Sequence, residues 1–257
     1  VGFVDEYFFG DSPRFYELID LMEKEPVGVQ WSSTMRASDI REKFLNENWL
    51  KKMYSAGGYY FGIGAESGSP RILRKLKKGI SVEHILDAAK YSVTSGITFT
   101  FSFMAAVPGE EIEDLLMTVD LIDKLWEINP KLLLIGPQLF RPYPGSDLFD
   151  ESIGYGLSTP NTLEEWSKET SKVLDSFSHA KKLDMNNLPW LKDPELFEKV
   201  MLCFYVSCTK RYFWKAPFKY RWLLRLMQKI AQWRIRTRSF KFMPETFMYR
   251  IINSYMS

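Results

Sequence analysis

Glu66-Ser67-Gly68-Ser69-Pro70 places a carboxylate, two hydroxyls and a glycine directly after the apolar run Phe61–Ala65. Such groups at the C-terminal end of a parallel strand can hold and orient a polar ligand. Taken alone, the stretch equally fits a plain capped strand-to-helix turn, with Ser69 as N-cap and Pro70 in the first helical position. Four more polar clusters also follow apolar runs: Asp5-Glu6, Arg36, Pro108-Gly109-Glu110 and Arg141-Pro142. The remaining reactive types are weaker candidates. His84 reads as a surface position on a helix, and His179 lies in polar surroundings. Cys203 and Cys208 read as small buried hydrophobes.

The elements that must position these clusters alternate. Strands are expected at Val1–Val4, Val27–Ser32 (ending near Arg36), Tyr59–Ala65, Ile97–Val107 and Leu132–Phe140. Between them lie helical patterns at Arg14–Lys24, from Asp39-Ile40 through Ser55, Arg71–Lys78, Ser81–Ser95 and Glu113–Glu127. Units of this size imply right-handed parallel crossovers. With no Gly-rich dinucleotide fingerprint, they favour an α/β fold, part of a (β/α) TIM-type barrel, over a Rossmann sheet. Every polar cluster would then meet on one rim, the catalytic face of such barrels. After Phe149 the pattern changes. Thr162 and Glu165 form a capping-box pair, and helical patterns from Glu195 onward carry aromatic residues among Arg and Lys. The expected division is a barrel segment over 1–150 and a helical extension over 151–257.

Charge follows the same division. Residues 201–257 hold 12 Lys/Arg and one Asp/Glu (+11), which leaves 22 and 31 (−9) for residues 1–200. The net charge of +2 gives no overall sign of nucleic-acid binding. Two cysteines make no disulfide framework and fit a reducing, cytoplasmic setting. No run reaches the ~20 apolar residues of a membrane span. The chain opens without Met, in an apolar run, as if cut from a longer protein.

The ordered pieces VDEYF, WSSTMR, GIGAESGS with LKKGI, FMAAVPGEE and RPYPGSDLF resemble the radical S-adenosylmethionine (radical SAM) superfamily. The likeness is to the branch with a cobalamin-binding domain, which includes magnesium-protoporphyrin ester cyclases and methyltransferases. The resemblance implies that Asp5 and Glu6 bind the SAM amino group after the second barrel strand. It implies that Glu66 and Ser67 face the ribose and methionine moieties. The segment Phe103 to Pro108, including Met104, would run along the adenine, with Arg141 and Pro142 near its edge. Arg36 would meet the SAM carboxylate or the substrate. The family's CxxxCxxC loop is not in this sequence, and Cys203 and Cys208 have neither its spacing nor its location. The implied cofactors are therefore SAM, a [4Fe–4S] cluster with ligands outside this chain, and cobalamin in a longer parent.

Two readings stand beside each other. One is part of a radical SAM enzyme that performs methyl transfer or ring formation on an organic substrate, large and apolar or tetrapyrrole-like, with a reductase as partner. The other is a non-catalytic barrel scaffold that binds a partner through its basic tail. That tail reads first as a core face plus a wet face, then as a substrate lid or a membrane contact, and last as a nucleic-acid surface. Self-association through the Val1–Val4 edge is a further expectation.

Overall fold

The structure, a computed structural model, describes residues 1–5, 7–26, 28–168, 188–207, 221–249 and 251. The described part forms two compact units, Val1–Ala105 with Met117–Gln138, and Ala106–Leu116 with Leu139–Ser257.

The first unit is built on a sheet in chain order: β1 (Trp31–Arg36), β2 (Gly58–Glu66), β3 (Thr98–Ala105) and β4 (Leu133–Leu139). β1–β2 and β2–β3 pair in parallel. Their crossovers carry α2 (Glu47–Ser55), α3 (Pro70–Lys75) and α4 (Val82–Thr94), and α1 (Ser12–Lys24) precedes β1. α5 (Ile112–Ile128) leads to β4. Neighbouring parallel strands in chain order, linked by helices, are the pattern of a (β/α) barrel segment.

Side-chain alternation divides the sheet into two unlike faces. One is apolar, with Trp31, Met35, Phe61, Ile63, Phe99, Phe101 and Phe103 all buried. It continues into an aromatic cluster in which Trp31 meets Phe61 at 5.0 Å and Phe3 at 5.4 Å between ring centroids. Burying a side chain of this size is worth about 1.5–3 kcal/mol, so this face dominates the stability of the unit. The other face carries Ser32 and Thr34, Gly62 and Gly64, and Thr100 and Ser102.

Three boundaries differ from the sequence expectation. β1 begins at Trp31 rather than near residue 27, because Gly28 takes a left-handed φ of 67° and Val29 is exposed. Pairing starts where Trp31 N–H donates to Gly57 O at 2.9 Å and the indole Nε1–H donates to Ala56 O at 2.9 Å. Val27 lies outside the described residues. α2 begins only after Asn46, whose side chain accepts from Trp49 N–H at 3.1 Å. Asp39 instead ends a short 3-10 turn, Ala37–Asp39, its carboxylate accepting from the Tyr7 hydroxyl and from Arg36 N–H. Val1–Val4 pairs through one parallel bridge, Gly2 to Ser32. Phe3 N–H donates to Ser32 O at 2.8 Å, and the Phe3 ring stacks on Phe8 at 4.5 Å, while Val1 and Val4 stay exposed.

In the second unit, α6 (Asp147–Gly154) is followed by the capping pair read from sequence: Glu165 N–H donates to Thr162 Oγ1 at 3.2 Å. α7 (Pro194–Ser207) and α8 (Arg221–Thr237) pack together, with Val200, Phe204, Leu224 and Met227 among their buried residues. Cys203 is fully buried here, and burial pushes its thiol up to about 12, so it is an inert core residue. Cys208 and His179 lie outside the described residues. His84 caps its own helix, accepting from Ser81 N–H through Nδ1 at 3.2 Å.

Candidate functional site

The end of β2 departs from regular strand geometry. The β2–β3 register shifts between Gly64 and Glu66, and Glu66 takes a left-handed φ of 63°. An irregularity of this kind re-aims side chains next to binding sites, and a non-glycine residue at such a φ carries strain of order 1 kcal/mol or more. As a result, the buried Glu66 carboxylate folds back over Gly64. A Cβ on Gly64 would lie 2.5 Å from Glu66 Oε1. Lys78 supplies an ammonium that ion-pairs with the same carboxylate. The basic stretch Arg71–Lys78 thus contributes one cation to the strand end.

Ser67 is fully buried and holds the turn. Its hydroxyl meets Thr118 Oγ1 at 3.1 Å and accepts from Ser69 N–H at 3.1 Å, while Gly68 N–H donates to Thr118 Oγ1 at 2.9 Å. Gly68 is required by space: a Cβ there would sit 2.2 Å from Met117 O. Ser69 then caps α3 by accepting from Ile72 N–H, with Pro70 in the first turn.

Beside this turn, Arg36 ends β1 in register with Gly64. Its guanidinium lies 4.5 Å from the centre of the Tyr7 ring. Tyr7 donates its hydroxyl to Asp39 Oδ1 at 2.6 Å, and Arg36 N–H donates to Asp39 Oδ2 at 2.9 Å. Burial pushes the Asp39 carboxyl up against the opposing pull of these hydrogen bonds. Burial and the Asp39 charge push the Tyr7 phenol up to about 12. The result is a neutral phenol, reaching in from before α1, against a buried carboxyl and an exposed guanidinium at the end of β1.

Behind these strand ends the polar face of the sheet lines a cavity of about 550 Å³, within the usual range for ligand sites. Gly2–Val4, Ser32, Thr34, Tyr60, Gly62, Gly64, Thr100, Ser102 and Ile135 border it, and no lining side chain is charged. A closed barrel normally fills its interior with branched apolar side chains. Here glycines and small hydroxyls leave the interior open. The Thr100 hydroxyl is buried without a hydrogen-bond partner among the described residues. A buried polar atom left unpaired costs about 1–3 kcal/mol, which a hydrogen-bonding ligand would recover.

The candidates read from sequence fall as follows. Arg36, Glu66 and Ser67 come together at the ends of β1 and β2. Asp5 is exposed before Tyr7, and Glu6 lies outside the described residues. Met104 is half-buried in β3. Pro108, Arg141 and Pro142 belong to the second unit, where Pro108 is buried and the other two are half-buried. Sequence reasoning missed Tyr7, Asp39, Lys78, Thr100 and Thr118. Of these, Thr100 carried a signal, because the alternation in TFTFSF puts Thr100 and Ser102 on one face.

Together these features describe a (β/α) barrel-type segment, with charged groups at the strand ends and an uncharged, hydroxyl-lined interior. Residues 4–122 match the model of the Radical SAM superfamily. An uncharacterized methyltransferase of Pyrococcus horikoshii is 28% identical over 157 residues, covering 61% of this chain and 32% of that protein. A putative methylthiotransferase of Methanocaldococcus jannaschii is 32% identical over 139 residues, covering 53% and 28%. The chain thus matches about a third of the length of these relatives. Among solved structures, the cobalamin-dependent radical enzyme OxsB, with aqua-cobalamin and S-adenosylmethionine bound, gives a TM-score of 0.49 at 16% identity over 98% of this chain and 41% of that one. The radical methyltransferase TsrM of Kitasatospora setae gives 0.42 at 15% identity over 48% and 25%.

Proposed function

We propose that this chain is the SAM-holding part of a radical SAM enzyme of methyltransferase type, acting in the cytoplasm with a reductase. The observation that carries this reading is the buried Thr100 hydroxyl, unpartnered among the described residues, in an uncharged cavity lined by strands that end in Arg36 and Glu66. SAM has matching parts: a neutral, hydrogen-bonding nucleoside and a charged amino-acid end. Thr100 and Ser102 would bond nucleoside hydroxyls or ring nitrogens. Arg36 would pair with the carboxylate, and Glu66 and Asp5 with the ammonium. Bound in a reduced enzyme, SAM supplies a carbon-centred radical. This chain's part is to orient SAM and to exclude water from it.

The cluster is a different matter. The sequence has two cysteines, and among the described residues no three metal-ligating side chains come together. The chain does not fit an iron–sulfur cluster, so cluster ligation is assigned to residues outside it. Cobalamin, held by OxsB in its solved structure, enters as the methyl carrier of the parent enzyme, and an organic substrate, large and apolar, as the acceptor.

The Lys78–Glu66 ion pair favours a second reading, a scaffold whose strand-end carboxylate is already neutralised. Titration calorimetry with S-adenosylhomocysteine, which needs no cluster, separates the two. The enzyme reading expects saturable binding, weakened about tenfold or more in Glu66→Gln by loss of a charge-assisted hydrogen bond. Absent binding, or equal affinity in the variant, favours the scaffold.

A further inference from the structure

α8 has two outward stripes of different chemistry, with the same spacing. Trp222, Leu226 and Trp233 stand at i, i+4 and i+11, and are 66%, 44% and 54% exposed. Arg225, Lys229 and Arg236 repeat that spacing three residues later and are also exposed. At 100° per residue the two stripes run side by side, each about 16 Å long. The inward face, Leu224, Met227, Ala231 and Ile235, is already used against the rest of the unit. The outer stripes are therefore additional to what the core requires.

Acidic side chains are scarce in this part of the chain. Glu245 is the one acidic residue in 201–257. It is drawn inside, where Arg234 Nη2 donates to its Oε2 at 2.9 Å and Arg234 Nε–H donates to its Oε1. The segment following α8 adds two further exposed aromatics, Phe242 and Phe247, with Lys241 beside them.

We propose that the outer face of α8 docks the protein on an anionic membrane surface. Exposed tryptophans flanking an aliphatic residue, beside a row of Lys and Arg, match an interfacial helix: apolar side in the acyl boundary, cations at the headgroup phosphates. No described helix is long and apolar enough to cross a membrane, so the helix lies on the surface. A second copy of this chain is a poor occupant, since two strongly basic faces would meet. RNA would use the cations and stack on the tryptophans, but would leave Leu226 without a role. This inference is independent of the SAM reading.

The test is vesicle flotation of the whole chain, with circular dichroism to confirm that each variant is folded. Phosphatidylcholine vesicles containing phosphatidylserine should carry the protein up, and phosphatidylcholine alone should do so far less. Lys229→Ala with Arg236→Ala should weaken binding to anionic vesicles about thirtyfold, about fivefold per cation. Trp222→Ser with Trp233→Ser should abolish flotation on both vesicle types. No flotation, equal flotation on neutral and anionic vesicles, or indifference to both pairs of substitutions would overturn the proposal. So would retention on single-stranded RNA by a protein that does not float.

Discussion

Asp39 ties a candidate site residue, Arg36, to Tyr7. Its carboxyl is buried between the Tyr7 hydroxyl and the Arg36 backbone, and so fixes where the Arg36 side chain leaves the end of β1. Removing the Tyr7 donor leaves a buried carboxylate short of one partner, so Tyr7→Phe should cost about 1–3 kcal/mol near neutral pH. The sign of the pH dependence follows from the raised Asp39 pKa. The folded state holds this proton more tightly than the unfolded chain does. The stabilisation from Asp39 is therefore complete below the ordinary carboxylate range and is lost as pH rises through its folded pKa. Tyr7→Phe removes a group that pulls that pKa down, so the variant's Asp39 is protonated sooner on acidification. Its penalty, read by urea unfolding at neutral pH and again in the ordinary carboxylate range, should shrink as the pH is lowered. An equal penalty at both would contradict this account of Asp39.

At the scale of elements, α8 is tied to the segment after it by the Arg234–Glu245 pair, whose two side chains are almost buried. Breaking a buried pair strands a charge, whereas replacing both partners by apolar groups does not. Arg234→Met should cost about 3–5 kcal/mol in urea unfolding, and the double change with Glu245→Leu clearly less. A double variant as unstable as the single one would show that the pair acts through geometry rather than charge. The same scale shows what sequence could reveal. The glycines of GIGAES and the alternation of TFTFSF marked an unusual strand face, and both helix caps, at Ser69 and Thr162, were legible from local chemistry. The start of β1 was not, because Val27 and Val29 have strand-like character while the anchor, Trp31, bonds to residues 25 and 26 positions away. Tyr7 with Asp39 and Ser67 with Thr118 were equally hidden. Their partners are 32 and 51 residues apart, and only the parallel crossovers bring them together.

For the molecule as a whole, the central claim is that the polar face of the sheet and the ends of β1 and β2 hold SAM. The two units offer an internal control, since α8 lies in the second and takes no part in that claim. Hydrogen–deuterium exchange with and without S-adenosylhomocysteine tests it directly. A nucleoside seated on Thr100 and an amino-acid end at Arg36 and Glu66 should slow exchange over residues 32–36, 62–68 and 100–104. Exchange in α8 should not change, and in Glu66→Gln the protection should fade at the same ligand concentration. Unchanged exchange across all three strands at saturating ligand, or protection confined to the second unit, would contradict the account.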